Sequence, residues 1–341
     1  MNMEAIHGGP DALGVPLHDL SSNANACGPH APTVQALRAV DARHYPDPAS
    51  TALTVQLAAW HGVAPGRIVV VASGSEFIQR ISVAVALQAG QGACVWLPRH
   101  AYGDYARAAH AAGLRRVADP AQAALLWACE PSSPLGQAQP GLVAQVAALR
   151  AGQVLVLDQA YEPLRLDGAP SLQGDALQRV WQLVTPNKAL GLTGVRAAYA
   201  IAPRDADPAL LARVRALAPS WPLGAHGVAL LQCWASVDAH DWLADCRATL
   251  RPWKARQMRL LAAGGWQVLP SDANFFVAVP ADRVSAGGRN SMNPWLDGLR
   301  RQGFKLRDCA SFGLPGHVRL SVAAPATQDA LQRALRCEVP A

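Results

Sequence analysis

Two neighbouring stretches decide the fold: Val154-Leu-Val-Leu-Asp158-Gln-Ala-Tyr161, and Val180-Trp-Gln-Leu-Val184-Thr-Pro-Asn-Lys188-Ala-Leu-Gly-Leu-Thr-Gly-Val-Arg196. Each opens on a short, nearly unbroken apolar run and then gives way to polar residues. A strand with one wet face alternates, whereas a strand covered on both faces reads as continuous apolar sequence. The same runs recur at Ile68–Ala72, Ala93–Leu97, Leu125–Cys129 and Ala197–Ala202. Helical patterns lie between them, at Glu76–Leu87, Tyr102–Ala112 and Leu142–Arg150. Strands separated by helices in this way predict an α/β fold whose sheet is mostly parallel and covered by helices.

Outward from this core, residues 1–44 read as an irregular arm holding a short helix, Thr33 to Asp41. After Ala202 the chain turns helical at Pro208–Leu217 and His226–Trp234, and a long helix follows at Asp241–Leu261. Strands near Gln267–Leu269, Asn274–Val279, Lys305–Arg307 and Val318–Ser321 then predict a second, smaller α/β region. The expected division is an arm (1–44), a large domain (45–235) and a small C-terminal domain (236–341).

The chain has 341 residues, 51% hydrophobic and 16% charged, which supports a large buried core and excludes a disordered chain. No apolar run approaches the roughly 20 residues that cross a bilayer. Met1-Asn-Met-Glu-Ala-Ile-His-Gly-Gly lacks a basic start followed by an apolar run, so no secretory leader is expected there. Seven scattered cysteines fit free thiols in a cytoplasmic compartment. Neither they nor the histidines are spaced as metal ligands. The net charge is +6, but its densest groups, Arg251–Arg259 and Arg300–Arg307, read as solvated faces. Small anions fit that dispersed charge better than nucleic acid.

Only three of the 30 basic residues are lysine, namely Lys188, Lys254 and Lys305; the other 27 are arginine. A lysine that persists in such a chain points to chemistry only an amine can do, because a guanidinium does not lose its proton. Lys188 follows an apolar strand and precedes a Gly-rich turn, where its amine can form an imine with an aldehyde. Asp158 ends another strand and can keep a pyridine nitrogen protonated, making the ring an electron sink. In Ala72-Ser-Gly74-Ser75-Glu76 a strand runs into a helix through small residues. Such a helix start, with an arginine such as Arg196, can hold a phosphate. Aldehyde, pyridine and phosphate together describe pyridoxal 5'-phosphate.

In their order along the chain these segments resemble the fold-type I pyridoxal-phosphate aminotransferases. The branch is that of histidinol-phosphate aminotransferase and threonine-phosphate decarboxylase. Further motifs carry the resemblance: Ser22-Asn23-Ala-Asn25-Ala-Cys27-Gly28-Pro29, Tyr45-Pro46-Asp47-Pro48, Asp158-Gln159-Ala160-Tyr161 and Val318-Arg319-Leu320-Ser321-Val322. The resemblance implies that Lys188 holds the cofactor as a Schiff base and moves the substrate proton. Asp158 would pair with the ring nitrogen and Tyr161 with the ring oxygen. Gly74, Ser75 and Glu76 (by backbone N–H), Thr185 and Arg196 would hold the phosphate. Tyr45 would reach that phosphate across a homodimer interface. Tyr102 would stack on the ring, with Ser133 and Asn187 nearby. Arg319 would take the substrate carboxylate, and Asn25 and Arg307 would also touch substrate.

Departures from the family pattern are as informative. Glu130-Pro131-Ser132-Ser133-Pro134-Leu135-Gly136 puts Ser133 where relatives carry an asparagine beside the ring oxygen. Asn187 replaces a serine before the lysine, and Ala24 and Cys27 stand where the histidinol-phosphate branch has Glu and Tyr. The reading is therefore an aminotransferase acting between an amino acid and a 2-oxo acid or aldehyde. A decarboxylase of the threonine-phosphate type and a non-catalytic ligand-binding relative are its rivals.

Overall fold

The computed structural model describes residues 7–280 and 293–337. Residues 1–6, which carry most of the stretch read for a leader, lie outside them, as do 281–292 and 338–341 of the expected small domain. The arm carries β1 (His18–Asp19) and α1 (Ala31–Arg38), and α2 (Thr51–His61) leads into β2 (Ile68–Val71) and α3 (Gly74–Ala89). Next come β3 (Cys94–Trp96), α4 (Gly103–Ala111), β4 (Arg115–Val117), β5 (Leu125–Cys129) and α5 (Leu142–Ala147). They are followed by β6 (Val154–Asp158), α6 (Gly174–Gln178), β7 (Trp181–Val184) and β8 (Ala198–Ile201). Three helices, α7 (Pro208–Ala216), α8 (Ala225–Trp234) and α9 (Val237–Ala263), lead to β9 (Trp266–Val268) and β10 (Phe275–Pro280). The chain closes with α10 (Asn293–Arg301), β11 (Phe304–Lys305), β12 (Arg307–Asp308), β13 (Val318–Ser321) and α11 (Pro325–Cys337).

The seven-stranded sheet has the order β2-β8-β7-β6-β5-β3-β4. Strands β4, β3, β5, β6 and β7 are parallel, and β8 runs antiparallel to both of its neighbours. No helix lies between β7 and β8, and an antiparallel return needs no helical crossover. Leu125, Trp127, Val156 and Leu183 pack on one face with residues of α3 and α4. Leu126, Ala128, Leu155 and Leu157 meet α5 on the other. Further along that face, Ile68, Tyr199 and Ile201 pack against α2, α8 and α9. The continuous apolar runs thus serve two cores at once.

The second sheet is antiparallel, in the order β12-β13-β10-β9. The single strand expected at Lys305–Arg307 is divided: β11 pairs with β1 of the arm, and β12 pairs with β13. The side chain of Asp11 binds Arg300 and Lys305, each at 2.9 Å, and fastens the arm to this region. The edge strand β4 begins with two exposed arginines and carries no apolar run that could announce it.

Candidate active site

The ends of the parallel strands open on a cavity of about 590 Å³, the place where open α/β sheets bind ligands. Lys188, Asp158, Tyr161 and Asn187 all line it. The Lys188 Nζ stands 5.2 Å from the centroid of the Tyr161 ring. Lys254 is paired with Asp167 at 3.1 Å and Lys305 with Asp11 at 2.9 Å, whereas no ion pair among the described residues takes Lys188. Its loop is tightly held. The Asn25 N–H donates to the Lys188 carbonyl at 3.0 Å, and the Lys188 N–H donates to Asn187 Oδ1 at 3.0 Å. Gly191 has φ +69°, and a Cβ there would lie 2.9 Å from the Gly28 carbonyl oxygen, so arm and loop meet where only glycine fits.

Asn25 corrects one expectation. It is not among the cavity-lining residues; its amide donates to the Ala189 carbonyl at 3.0 Å and its Oδ1 accepts from the Cys27 N–H at 3.0 Å. Both ends of the side chain are occupied by backbone, so it staples the arm to the lysine loop and does not line the cavity.

Asp158 is buried at the end of β6. Its Oδ1 accepts the Ala160 N–H at 2.9 Å and its Oδ2 the Tyr105 hydroxyl at 2.7 Å. Burial pushes its carboxyl above the usual carboxylate range, while these two hydrogen bonds and the charge of Lys188 pull the other way. A cation arriving beside Asp158 would relieve that burial cost.

At the other end of the cavity, α3 starts against β7. Ser73 caps the helix by accepting the Glu76 N–H at 3.1 Å, and the Glu76 carboxylate pairs with Arg80 at 2.7 Å. Glu76 is therefore engaged as part of the cap and is absent from the lining, contrary to the role expected of its amide. Gly74 and Ser75 do line the cavity. A Cβ on Gly74 would sit 2.8 Å from Thr185 Cγ2, so only glycine lets the helix start come this close. The Thr185 Oγ1 is buried in the cavity wall with no hydrogen-bond partner, and the exposed Arg196 completes this end. An unpartnered hydroxyl, a helix N-terminus and a guanidinium fit a phosphate.

Arg307 and Arg319, each 5% exposed, line the same cavity. Arg319 donates to Ser133 Oγ at 3.0 Å and to the Ser21 carbonyl at 2.8 Å, and its Nε is buried without a partner. Arg307 donates to the Asp308 carbonyl at 2.7 Å and to Ser311 Oγ at 2.8 Å. Neither has a carboxylate partner among the described ion pairs. Burial and the neighbouring Arg319 charge push Arg307 below its usual range. Ser133, expected beside the ring oxygen, lines the cavity and accepts a hydrogen bond from Arg319. Its short side chain is reached by the guanidinium from the second sheet.

Tyr102 lines the cavity with its hydroxyl fixed on Asp104 Oδ2 at 2.8 Å. Tyr45 is 78% exposed and stacks on Trp221 at 4.4 Å, away from the cavity of its own chain. Sequence reading missed Ser73, Asp104, Tyr105 and the arm residues His7–Pro10, all of which serve or line the site. A helix cap at Ser73 is legible from its small-residue turn. The roles of Asp104 and Tyr105 depend on which way the first turn of α4 faces, and no local pattern states that.

A cavity with a free lysine, a buried carboxylate and an anion cradle at the strand ends defines an enzyme that works with pyridoxal phosphate. The chain belongs to the aminotransferase class I and II family, whose model matches residues 116–337, and it is an aminotransferase acting on small amino compounds. It is 31% identical to a histidinol-phosphate aminotransferase of Granulibacter bethesdensis over 98% of this chain and 94% of that one. Histidinol-phosphate aminotransferase 2 of Ralstonia nicotianae is 28% identical, over 93% of this chain and 87% of the relative. Among solved structures, histidinol-phosphate aminotransferase from Sinorhizobium meliloti, in complex with pyridoxal-5'-phosphate, superposes with a TM-score of 0.81 at 24% identity. That match covers 98% of this chain and 96% of the other. L-threonine-O-3-phosphate decarboxylase from Porphyromonas gingivalis shares the fold at a TM-score of 0.76 and 19% identity, over 93% and 98% of the two chains.

Proposed function

We propose that this aminotransferase takes an amino acid whose carboxylate is clamped by Arg319, and that Arg307 receives a second anionic group of the amino donor or acceptor. One observation carries the reading: two buried guanidiniums without carboxylate partners share the cavity of Lys188. Uncompensated buried charge is costly, so the site awaits anions. When bound, pyridoxal phosphate supplies an aldehyde to amines and an electron sink for the pair left on the substrate Cα. The residues divide the remaining work. Lys188 Nζ, which no ion pair among the described residues takes, would hold the aldehyde and would move the proton at the substrate Cα. Of the other lining residues, Asp158 would pair with the ring nitrogen, Tyr161 with the ring oxygen, and Tyr102 would cover the ring. Gly74, Ser75, Thr185 and Arg196 would hold the phosphate, and Asn187 orients the lysine loop by accepting the Lys188 N–H.

The exposed Tyr45–Trp221 stack supports a homodimer in which Tyr45 serves the neighbouring cavity. Six described cysteines are free, which supports a cytoplasmic setting. Mixing the loaded protein with free and phosphorylated amino acids tests the substrate reading. Loss of visible absorbance, with an amino group passed to a 2-oxo acid, is the expected result. Release of carbon dioxide would favour the decarboxylase reading, which the shared fold with the Porphyromonas enzyme keeps as the second one.

A further inference from the structure

Tyr105 is fully buried, yet its hydroxyl ends on a cavity residue, Asp158, at 2.7 Å. Its ring lies flat on Trp127 of β5, with centroids 4.4 Å apart and planes 9° apart, and the Tyr102 ring meets it edge-on at 5.7 Å. Trp127 and Asp158 lie on adjacent paired strands, so the ring that aims the hydroxyl rests on the same sheet that carries the acid. We propose that Tyr105 is a positioning residue for the reaction: its hydroxyl, held by the Trp127 stack, fixes Asp158 toward the cavity and keeps its carboxylate ionised where the cofactor nitrogen binds. This inference rests on the reading of Asp158 given above.

The chemistry of the surroundings supports it. Burial holds Tyr105 well above the ordinary phenol range, so the hydroxyl keeps its proton and can only donate to a carboxylate. Four side chains bear on Asp158 or its immediate surroundings: Tyr105 from α4, Cys129 from β5, Tyr161 from the turn after β6, and Lys188 from the loop after β7. Cys129 is pushed up by burial and remains a neutral thiol. Only Lys188 offers a charge, and that amine is committed to the aldehyde when the cofactor is bound. Beside the cofactor nitrogen, the Tyr105 hydroxyl and the Ala160 N–H are then the protein's own donors that offset the burial of Asp158.

Equilibrium binding of pyridoxal phosphate to the full chain, measured from pH 5 to pH 9, tests this. Y105F keeps the ring and its stack but loses the donor. Its affinity at pH 8 should stay within about threefold of native, while the acid limb of the binding curve moves up by about one pH unit. The acid limb of kcat should move with it at unchanged KM for the amino acid. W127F keeps the hydroxyl and should lower thermal stability without moving the limb by as much. D158N should remove the limb in both the native and the Y105F background. A Y105F limb that superimposes on native overturns the proposal, as does a W127F limb that moves further than the Y105F one. A native chain that takes up no pyridoxal phosphate overturns the site reading and the proposal with it.

Discussion

Arg319, on β13 of the small sheet, donates to Ser133 Oγ, in the loop after β5 of the large sheet, at 3.0 Å. The two residues are 186 positions apart, and their bond joins the two sheets in the lining of the cavity. Its guanidinium also lies 5.4 Å from the Phe275 ring and 5.7 Å from the Phe312 ring. Aromatic faces and neutral oxygens orient this cation without neutralising it, which leaves its charge for a ligand.

Removing that charge should therefore act on substrate alone. R319A is expected to raise KM for a carboxylate-bearing amino acid by about 100-fold, the scale of losing one partner of a buried ion pair. Pyridoxal phosphate affinity should stay within about twofold. S133A removes one acceptor that aims the guanidinium and should raise KM by about fivefold, in line with one net hydrogen bond. Steady-state kinetics beside cofactor titration separates the two effects, and equal losses in both would refute the clamp.

K188A should abolish the borohydride-reducible link between protein and cofactor, together with turnover. Lys254 and Lys305 are held by Asp167 and Asp11, so K254A and K305A should retain the link. Mass spectrometry after reduction reads the outcome directly. A reduced adduct elsewhere in the K188A chain would transfer the role to another amine.

G74A places a methyl 2.8 Å from Thr185 Cγ2. A β-branched side chain at a strand end cannot swing aside, so the start of α3 must shift by a few tenths of an ångström. Overpacking of this kind costs about 1–3 kcal/mol. The expected result is a lower Tm and about a tenfold loss of affinity for inorganic phosphate and for pyridoxal phosphate alike. A change confined to Tm would separate the helix start from the phosphate cradle.

His61 gives stability a pH dependence below neutrality. Its Nε2 meets the Tyr199 hydroxyl at 2.7 Å, and burial, with the charge of His240, lowers its pKa from 6.5 to about 4. The unfolded chain binds a proton at this residue below pH 6.5 and the native chain does so only near pH 4, so stability falls as pH drops through that window. The slope is at most about 1.4 kcal/mol per pH unit. Urea unfolding at pH 7.5 and pH 5 should show a loss of about 2 kcal/mol that H61F diminishes. An identical loss in H61F would assign the effect to other groups.

By itself the sequence determined the elements that local chemistry can dictate. Continuous apolar runs place β5, β6, β7 and β8 inside the large sheet, because each of their residues must find cover on one face or the other. The strand-end position of Asp158 and the place of Lys188 in the loop beyond β7 follow from where those runs stop, and the scarcity of lysine marks the amine. The split of Lys305–Arg307 between two sheets was not legible, since backbone pairing there is decided by the arm. Nor were the jobs of Asn25, Glu76 and Ser133, whose residue types suit the site but whose donors and acceptors are taken by neighbours 164, 3 and 186 positions away. Tyr105 shows the same limit at its sharpest. The helical pattern Tyr102–Ala112 places it on a helix, but only the docking of α4 against the sheet buries it and sets its hydroxyl against an acid 53 positions further along. A hydrogen bond demands a few tenths of an ångström, and that precision comes from packing, which no run of neighbouring residues contains.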